Sequence, residues 1–385
     1  MLLTHDFDVA IIGAGPAGAT LAYYLASSGI SVIVLEKNKF PRYKCCGGGI
    51  TTKTAGLLDP ELSGFFEDSI SSINITYAGD TGLQKDYERP LLYTVMRDRF
   101  DHALITMAEK AGAVVFTDRL VNNFVSGEEY VDVATNRENI RVEFLVGADG
   151  IDSFVARTAV IKGSRNRLLG IETEVRVSDN DMVKWRSRVL IEIGRIAAGY
   201  AWVFPKADHL SIGIGCLSHN AKYLKKQYYE FLNSLNLEHS EIKHWGSGFI
   251  PICTGSPVVN KGRIALVGDA AGLADPLTGE GIYNAIISAR LAAIALKNTL
   301  TDGKTDLNEY SRLVENIIVP EMKLANTFSK IFTLFPHRIF KLMQQDERVW
   351  MGCCQLLLGD RSYIDVKNRL NSLGGIYNFL FKHQS

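Results

Sequence analysis

Along the first forty residues, the spacing of hydrophobic positions changes between the period of a strand and the period of a helix. The apolar run DVAIIG is followed by a Gly-rich turn, a helical pattern from about Pro16 to Ser28, a stop at Gly29 and a second strand that ends at Glu36. This order predicts a βαβ unit. The stretch MRDRFDHALITMAEKAGAVVF predicts a helix from about 98 to 111 and a strand, and NIRVEFLVGADG predicts another strand.

The pattern changes after Arg157. Four short alternating stretches separated by turns predict a second, mainly antiparallel sheet: IETEVRV, RVLIEIG, GYAWVFP and HLSIGIGCL. The stretch GRIALVGDAAGLADPLTGEGIYNAIISARLAAIAL then returns to strand, loop and long helix. From about Ile317 the chain is rich in Phe, Leu and Met and predicts helices.

These elements predict the α/β class, with a Rossmann-like nucleotide-binding domain, an inserted antiparallel-sheet substrate domain and a helical C-terminal region. We expect a discontinuous nucleotide-binding domain over 1–70, 98–158 and 261–316. The substrate domain is expected over 71–97 and 159–260, and the helical region over 317–385.

Composition narrows the classes of partner. Forty-two basic residues balance forty-two acidic ones, so no broad positive field favours nucleic acid. The N-terminus lacks a basic leader and is interrupted by His5, Asp6 and Asp8, which predicts a cytoplasmic protein. No stretch has the apolar length of a membrane-spanning helix, so any contact with a bilayer is expected to be peripheral.

The six cysteines have no metal-site spacing. They lie at 45, 46, 216, 253, 353 and 354, without a Cys-x-x-Cys motif or a nearby His cluster, so we predict no metal site. The last four are interpreted as reduced, mostly buried thiols.

The first chemical motif is GAGPAG, between the first strand and the first helix. Gly13 permits a tight turn, Gly15 lets a pyrophosphate approach the backbone, and Gly18 lets the helix pack on the strand, with Ala17 beside it. The helix N-terminus directs free N–H groups at phosphates, and Glu36 can accept hydrogen bonds from a ribose. The alternative is a Gly-rich turn without a ligand, and the motif alone does not separate NAD from FAD.

The stretch RIALVGDAAGLADPLTGEGI resembles the second FAD contact of the aromatic-hydroxylase and geranylgeranyl-reductase superfamily. The resemblance implies that Asp269 binds the ribityl chain and that Pro276, Gly279 and Gly281 lie against the isoalloxazine. The N-terminus of the following helix would favour the reduced flavin, through its N–H donors and dipole. Without the glycines and proline that follow, Asp269 would be interpreted as a helix N-cap.

A third stretch, LVGADGIDSFVAR, resembles the Asp-Gly motif of the same superfamily. The resemblance places Asp149 near the FAD pyrophosphate and, in some members, near an incoming nicotinamide nucleotide. Asp149 is also a suitable turn residue before a capped helix. Arg97 matches an arginine that these proteins place beside FAD, although a surface arginine would look the same.

The loop YKCCGGGI, after Arg42, resembles the geranylgeranyl reductase family in its Lys-x-Cys-Gly-Gly pattern. There the loop reaches toward the flavin and its cysteine lies by the substrate double bond. The resemblance assigns Cys46 to that position and places Gly47 and Gly48 at the flavin and substrate, where glycines let the chain approach closely. The alternative is a mobile turn with incidental thiols.

A second signature of this family, Tyr-x-Trp-x-Phe-Pro, matches Tyr200 to Pro205. Tyr200, Trp202 and Phe204 would point to one face of a strand and form an aromatic wall. Such a wall is ordinarily core, but the resemblance makes it, with Pro205, the lining of the catalytic cavity. The resemblance extends over most of the chain, including GDRSYID near its end.

The resemblance implies reduction of isolated C=C bonds in a polyprenyl chain, by hydride from reduced FAD and a proton. Because such an alkene has no carbonyl, protonation must lead or accompany hydride delivery. We hypothesise that Cys46 or a water it orders supplies the proton, and that Tyr200 and Trp202 face the developing positive charge. The basic tail would rest on a bilayer or form a helical cap over the cavity.

Two rivals share the architecture. Flavin monooxygenases and halogenases belong to the same superfamily, and the aromatic motif faintly resembles the Trp-x-Trp-x-Ile-Pro of halogenases. Non-catalytic prenyl-binding carriers are the other rival. The sequence leaves the prenyl acceptor open among a free diphosphate, a chlorophyll-type ester, an ether lipid and a quinone side chain. It also leaves the electron donor open between NADPH and a ferredoxin-type donor.

Overall fold

The computed structural model describes residues 6–80, 82–162 and 166–372. The strands are β1 Phe7–Ile12, β2 Val32–Leu35, β3 Gly49–Thr51, β4 Phe66–Ile70, β5 Ser72–Tyr77, β6 Leu83–Asp86, β7 Leu92–Val95, β8 Val114–Phe116, β9 Val121–Ser126, β10 Val131–Thr135, β11 Asn139–Gly147, β12 Arg167–Val175, β13 Arg188–Ile193, β14 Gly199–Pro205, β15 Leu210–Leu217, β16 Ile242–Pro251, β17 Asn260–Lys261 and β18 Ile264–Leu266. The α-helices are α1 Pro16–Ser27, α2 Thr52–Ala55, α3 Arg97–Lys110, α4 Phe154–Thr158, α5 Asp179–Trp185, α6 Leu224–Ser234, α7 Ile282–Thr301, α8 Asn308–Ile317, α9 Val319–Leu334, α10 Pro336–Gln345, α11 Glu347–Leu358 and α12 Tyr363–Ser372.

The first sheet is built on parallel strands. Its order is β17-β18-β11-β1-β2-β8, and β10 and β9 extend it beside β11 in antiparallel fashion. All of β2 and most of β1 are buried, as expected of parallel strands covered on both faces. Helices α1, α3 and α7 pack together over this sheet. The predicted βαβ unit and Rossmann-like fold are therefore confirmed, with Glu36 lying just beyond the end of β2.

The second sheet has the order β16-β12-β15-β14-β13-β5-β6. Its neighbouring strands are antiparallel except β13 and β5, which run parallel. This confirms the predicted, mainly antiparallel second sheet. Alternation along β12, β14 and β15 places one set of side chains against α6 and the other toward the nucleotide-binding part of the chain.

A small third sheet and the C-terminal helices complete the described fold. Strands β3, β7 and β4 form a small sheet, and α10 and α11 pack apolar side chains against β5 and its neighbours. Four helices, α9 to α12, lie between 319 and 372, so the predicted helical C-terminal region is confirmed there. Residues 373–385 lie outside the described residues. The strand pairing does not divide the chain into domains, so the predicted limits stay a prediction. None of the described helices has the length and apolar character needed to cross a membrane.

Candidate active site

A cavity of about 1210 Å³ extends from the carboxyl ends of the parallel strands to the second sheet and the C-terminal helices. This volume exceeds the roughly 300–1,000 Å³ of pockets that hold one drug-sized ligand. The predicted site residues that line it are Gly13, Gly15, Ala17, Glu36, Arg42, Cys46, Gly47, Gly48, Arg97, Asp149, Tyr200, Trp202, Phe204, Asp269, Pro276, Gly279 and Gly281. Gly18 and Pro205 are not part of the lining.

The three glycines of the first motif have different surroundings. Gly13 has φ +100°, and a Cβ there would lie 2.5 Å from the carbonyl oxygen of Ala148. A Cβ on Gly18 would lie 1.9 Å from the carbonyl oxygen of Gly13. Gly18 therefore permits helix packing and does not face the cavity. At Gly15 the nearest atom to a Cβ is Nη2 of Arg42, 3.8 Å away, so open space lies in front of this backbone.

This open space adjoins the N-terminus of α1. Gly15 is the N-cap and supplies no side-chain hydrogen bond, so the first N–H groups of the helix face the space without a capping acceptor. Glu36 accepts hydrogen bonds from the backbone N–H groups of Ala14 and Asn38, both at 3.0 Å. Open space in front of Gly15, free N–H donors and a fixed carboxylate fit the pyrophosphate and ribose of FAD.

Two arginines are held at the cavity wall by one carboxylate that the sequence analysis missed. Arg97 donates from Nε and Nη2 to the oxygens of Asp101, at 2.7 and 2.9 Å. Arg42 Nη1 lies 3.3 Å from Asp101 Oδ2, and its Nε lies 3.5 Å from Glu36 Oε2. The only sequence signal for Asp101 was its position four residues after Arg97 on one helix face.

Asp149 lies in the turn before α4, as one interpretation of the sequence predicted, and its position near the FAD pyrophosphate stays a prediction. It lines the cavity, and its carboxylate accepts hydrogen bonds from the N–H groups of Phe154 and Val155, at 2.7 and 3.1 Å, at the start of α4. Ser153 Oγ also donates to it at 2.6 Å. The carboxylate is therefore fixed at the edge of the cavity by the first N–H groups of α4, whose N-cap is Ser153.

The second predicted FAD contact lies at the start of α7. Asp269 faces the cavity, and burial raises the pKa of its carboxyl. A Cβ on Gly281 would lie 3.0 Å from Asp269 Oδ1, so glycine leaves room for that carboxyl. Gly281 is the N-cap of α7 and gives no side-chain hydrogen bond. The free helix N-terminus fits the electron-accepting edge of a flavin.

The Cys-Gly-Gly loop is anchored by Lys206, a residue that the sequence analysis missed. Lys206 is fully buried, and its Nζ donates to the carbonyl oxygens of Gly47 and Val95, at 2.7 and 2.8 Å. Burial lowers the pKa of Lys206. Gly48 has φ +66°, and a Cβ there would lie 2.1 Å from the Val95 carbonyl oxygen. The position therefore requires glycine.

The two cysteines of this loop have different neighbours. Cys46 Sγ accepts a hydrogen bond from the Gly48 N–H at 3.4 Å and lies within reach of the Arg97 guanidinium. Cys45 packs against β16, where a Cβ on Gly246 would lie 2.7 Å from its Sγ. Both thiols line the cavity.

The aromatic motif forms the wall that was predicted from its alternation. The ring centroids of Tyr200 and Trp202 lie 5.8 Å apart, and those of Trp202 and Phe204 lie 6.4 Å apart. Tyr200 Oη donates to the Thr278 carbonyl oxygen at 2.6 Å, which joins the wall to the turn before α7. Pro205 instead lies outside the lining, and its carbonyl oxygen accepts from Thr94 Oγ1 at 2.6 Å.

Beyond the aromatic wall the cavity continues as an apolar arm. Side chains of the second sheet form one side of this arm, and the C-terminal helices form the other. The residues are Ile73, Tyr77, Ile191, Ile193, Phe332 and Leu357. The C-terminal helices close part of the cavity, since Phe332 of α9 and Leu357 of α11 line it, and contact of the tail with a bilayer stays a prediction.

Comparison with known proteins finds similarity to FAD-binding domains and to a prenyl reductase. A sequence model of FAD-binding domains matches residues 6–192. The digeranylgeranylglycerophospholipid reductase of Methanosphaerula palustris is 30% identical over 314 residues, which cover 75% of each chain.

Solved structures show the same fold. A geranylgeranyl bacteriochlorophyll reductase-like protein of Thermoplasma acidophilum superposes with a TM-score of 0.80 at 22% identity, over 95% of this chain and 99% of that one. The halogenase PltM, solved with phloroglucinol and FAD, gives a TM-score of 0.70 at 18% identity, over 91% and 80% of the two chains. The FAD-binding domain, the identity to the prenyl reductase and the shared fold together show that the chain belongs to the geranylgeranyl reductase family of FAD-dependent oxidoreductases.

Proposed function

We propose that this protein saturates isolated C=C bonds in a geranylgeranyl or similar polyprenyl chain. The observation that supports this most is the continuity of the cavity, which joins the FAD site to the apolar arm past Cys46 and the aromatic wall. A twenty-carbon chain in that arm would place a double bond next to the cofactor. The similarity to a digeranylgeranylglycerophospholipid reductase supports the same class of substrate.

The residues that would hold FAD divide between its two ends. The N-terminus of α1, Glu36 and the pair Arg42 and Arg97 suit the nucleotide and pyrophosphate, and Asp269 with the start of α7 suits the flavin. When bound and reduced, FAD supplies the hydride. A polyprenyl chain seated in the apolar arm would keep water from the alkene, which favours transfer to the substrate.

The protein must also provide a proton to the alkene and stabilise the positive charge that develops on the substrate. Tyr200 and Trp202 line the cavity with their rings tilted against each other, and an aromatic face turned to the substrate would stabilise a nearby cation. Tyr200 is held in place by its hydrogen bond to Thr278. Cys46, between this wall and Arg97, is our proposed source of the proton, directly or through a water.

Replacement of Cys46 tests this role. We expect Cys46→Ala and Cys46→Ser to slow prenyl reduction by about 100-fold, the usual contribution of a positioned acid, while FAD binding is retained. Cys253→Ala is the matched control, because Cys253 is buried outside the cavity lining. Undiminished turnover by both Cys46 variants with pre-reduced enzyme would remove the thiol from the mechanism.

Oxygen distinguishes the proposed reductase from its rivals. A reductase saturates a prenyl substrate anaerobically, whereas a monooxygenase or halogenase couples substrate conversion to O2 uptake. A prenyl-binding carrier would bind the chain without changing its mass. Mass spectrometry of a panel of prenyl acceptors, with dithionite as reductant, separates these outcomes and identifies the acceptor. The natural donor, NADPH or a ferredoxin-type protein, and peripheral contact with a bilayer stay predictions.

A further inference from the structure

A buried group of charged residues lies beside the cavity on the second sheet. Glu172 and Glu174 are two residues apart on β12, so their side chains point to the same face. Each is only 2% exposed, and buried Lys206 and His209 lie nearby. Buried carboxyl groups are costly unless they are paired. Apart from Lys206, which anchors the Cys-Gly-Gly loop, this group has no role in the site described above.

One end of the group opens into the cavity. Glu172 is part of the cavity lining, and its Oε2 accepts a hydrogen bond from Tyr43 Oη at 2.9 Å. Ser211 Oγ donates to Oε1 at 2.9 Å. Burial and the adjacent Glu172 carboxyl raise the pKa of the Cys45 thiol, which keeps this thiol protonated. Glu172 thus contacts the loop that carries both cysteines, through Tyr43 and Cys45.

The other end reaches solvent. His209 Nε2 lies 2.7 Å from Glu174 Oε2, and its Nδ1 lies 2.6 Å from Asp208 Oδ1. The side chain of Asp208 is 71% exposed and also lies 3.2 Å from Lys243 Nζ. Titratable groups therefore follow one another from the surface, through His209 and Glu174, to Glu172 at the cavity.

The electrostatics suit successive proton transfers. Burial, and then Glu174, raise the pKa of Glu172 to about 7. Burial lowers the pKa of His209, but Glu174 and Asp208 raise it above its ordinary value. Although burial raises the pKa of Glu174, His209 and Lys206 bring it below its ordinary value. Near neutral pH a carboxylate thus lies between two groups that can each hold a proton.

An apolar chain that fills the cavity would exclude bulk water from the double bond, so a proton must arrive through side chains. We propose that Glu172 restores, through the Cys-Gly-Gly loop, the proton that Cys46 gives to the alkene, and that Glu172 recovers a proton from solvent through Asp208, His209 and Glu174. This proposal rests on the proposed prenyl reduction. For each double bond, one carbon gains a hydride with its electron pair from reduced FAD, and the other gains one proton. Cys46 loses that proton and regains one from Glu172, and solvent supplies the net proton.

The first test uses the pH profile of prenyl reduction with dithionite-reduced holoenzyme. Because the donor must be protonated, we expect the rate to fall as pH rises through about 7, the pKa of Glu172. Glu172→Gln should lower the rate by about 100-fold. It should also remove the alkaline limb of the pH profile, which is the part where the rate falls as pH rises. The titratable groups that interact with Glu172 are Tyr43, Cys45, Glu174, Lys206 and Tyr228, and His209 lies beyond Glu174.

Two further variants shift the limb in opposite directions. Glu174→Gln removes a neighbouring negative charge and should lower the pKa of Glu172, moving the limb to lower pH. Ser211→Ala removes a donor to the carboxylate and should move it to higher pH. A merely structural role would not give opposite shifts. In the full FAD-loaded chain, 13C NMR of labelled Glu carboxyls, with Glu172 assigned by its loss in Glu172→Gln, should show the same order of pKa values.

Glu192→Gln is the matched control. Glu192 is a buried glutamate of the same sheet that pairs with Arg195 and Thr76 and lies outside the cavity lining. We expect its pH limb to match that of the wild type. The relay alone would be overturned if the wild type is active and Glu172→Gln reduces the substrate at the same rate. It would also be overturned if the pH at which the rate falls does not move with the pKa values measured by NMR. A wild type that reduces no prenyl substrate would overturn the proposed function and the relay together.

Discussion

Trp202 of β14 lies directly over Gly213 of β15, its partner across the second sheet. A Cβ on Gly213 would lie 2.1 Å from Cζ2 of the indole. The glycine therefore sets the depth to which the indole sinks into the sheet, and with it the width of the cavity.

We expect Gly213→Ala to push the indole into the cavity. The variant should lose stability by about 1–3 kcal/mol, as overpacked sites do, and reduce a prenyl substrate at least about tenfold more slowly because the double bond loses its position. FAD retention, thermal unfolding and turnover measure these effects. Gly255→Ala is the control, since nothing lies within 4 Å of a Cβ at that position. Normal turnover of Gly213→Ala would show that the depth of the indole is unimportant.

Gly15→Val tests the phosphate end of the site. The valine methyl groups would enter open space, because the nearest atom to a Cβ is 3.8 Å away. Residue 15 has φ −77° and ψ −174°, which suits a β-branched residue. We expect unchanged thermal stability of the FAD-free protein and FAD binding weaker by tenfold or more, about 1.4 kcal/mol. Equal affinity by flavin fluorescence titration would place the pyrophosphate elsewhere.

Glu280 makes the stability depend on pH. Burial raises its pKa from 4.5 to about 7, although a hydrogen bond from Thr54 opposes this. Between these values the folded protein holds a proton that the unfolded chain has lost, so stability falls as pH rises through this window. At 1.36 kcal/mol per pKa unit, the loss amounts to at most about 3 kcal/mol.

Glu280→Gln should remove that loss. By denaturant unfolding of FAD-loaded protein, the variant should match the wild type closely at pH 4 and exceed it at pH 8. Because both proteins share every other titrating group, the difference between them isolates Glu280. A constant difference at the two pH values would mean that this carboxyl does not titrate in the window.

Lys206→Met tests the anchor of the Cys-Gly-Gly loop. The substitution leaves the buried carbonyl groups of Gly47 and Val95 without their shared donor. An unsatisfied buried polar group costs about 1–3 kcal/mol. We expect a loss of this size or up to twice it, together with faster hydrogen exchange at 45–49. Slow exchange in a destabilised variant would contradict an anchoring role. Lys184→Met, at an exposed lysine, is the control.

Local patterns in the sequence identified the elements that depend on neighbouring residues. The strand, glycine turn and helix at Gly13 to Gly18 could be predicted because each step has its own short-range signal. The aromatic wall followed from the period of two along β14. The ends of elements differed by one residue, so that Arg97 is the first residue of α3 and not the residue before it.

Residues that act through distant partners could not be found in this way. Lys206 follows Phe-Pro and looks like an exposed turn lysine, until the fold brings two carbonyl groups from β7 and the Cys-Gly-Gly loop onto its Nζ. Glu172 and Glu174 alternate with apolar residues, which predicts a shared face but not whether that face meets solvent. Here other strands and the loop cover it. Gly213 acquires its role only through Trp202 on the next strand.

The most direct test of the account is the fate of reduced flavin when a prenyl substrate arrives. The FAD-loaded protein is bleached with a limiting amount of dithionite under strict anaerobiosis and mixed with a geranylgeranyl substrate. We predict that the oxidised-flavin absorbance returns without oxygen, in proportion to the C=C bonds lost from the substrate. A flavin that stays bleached until oxygen is admitted, with every double bond intact, would contradict the proposed prenyl reduction.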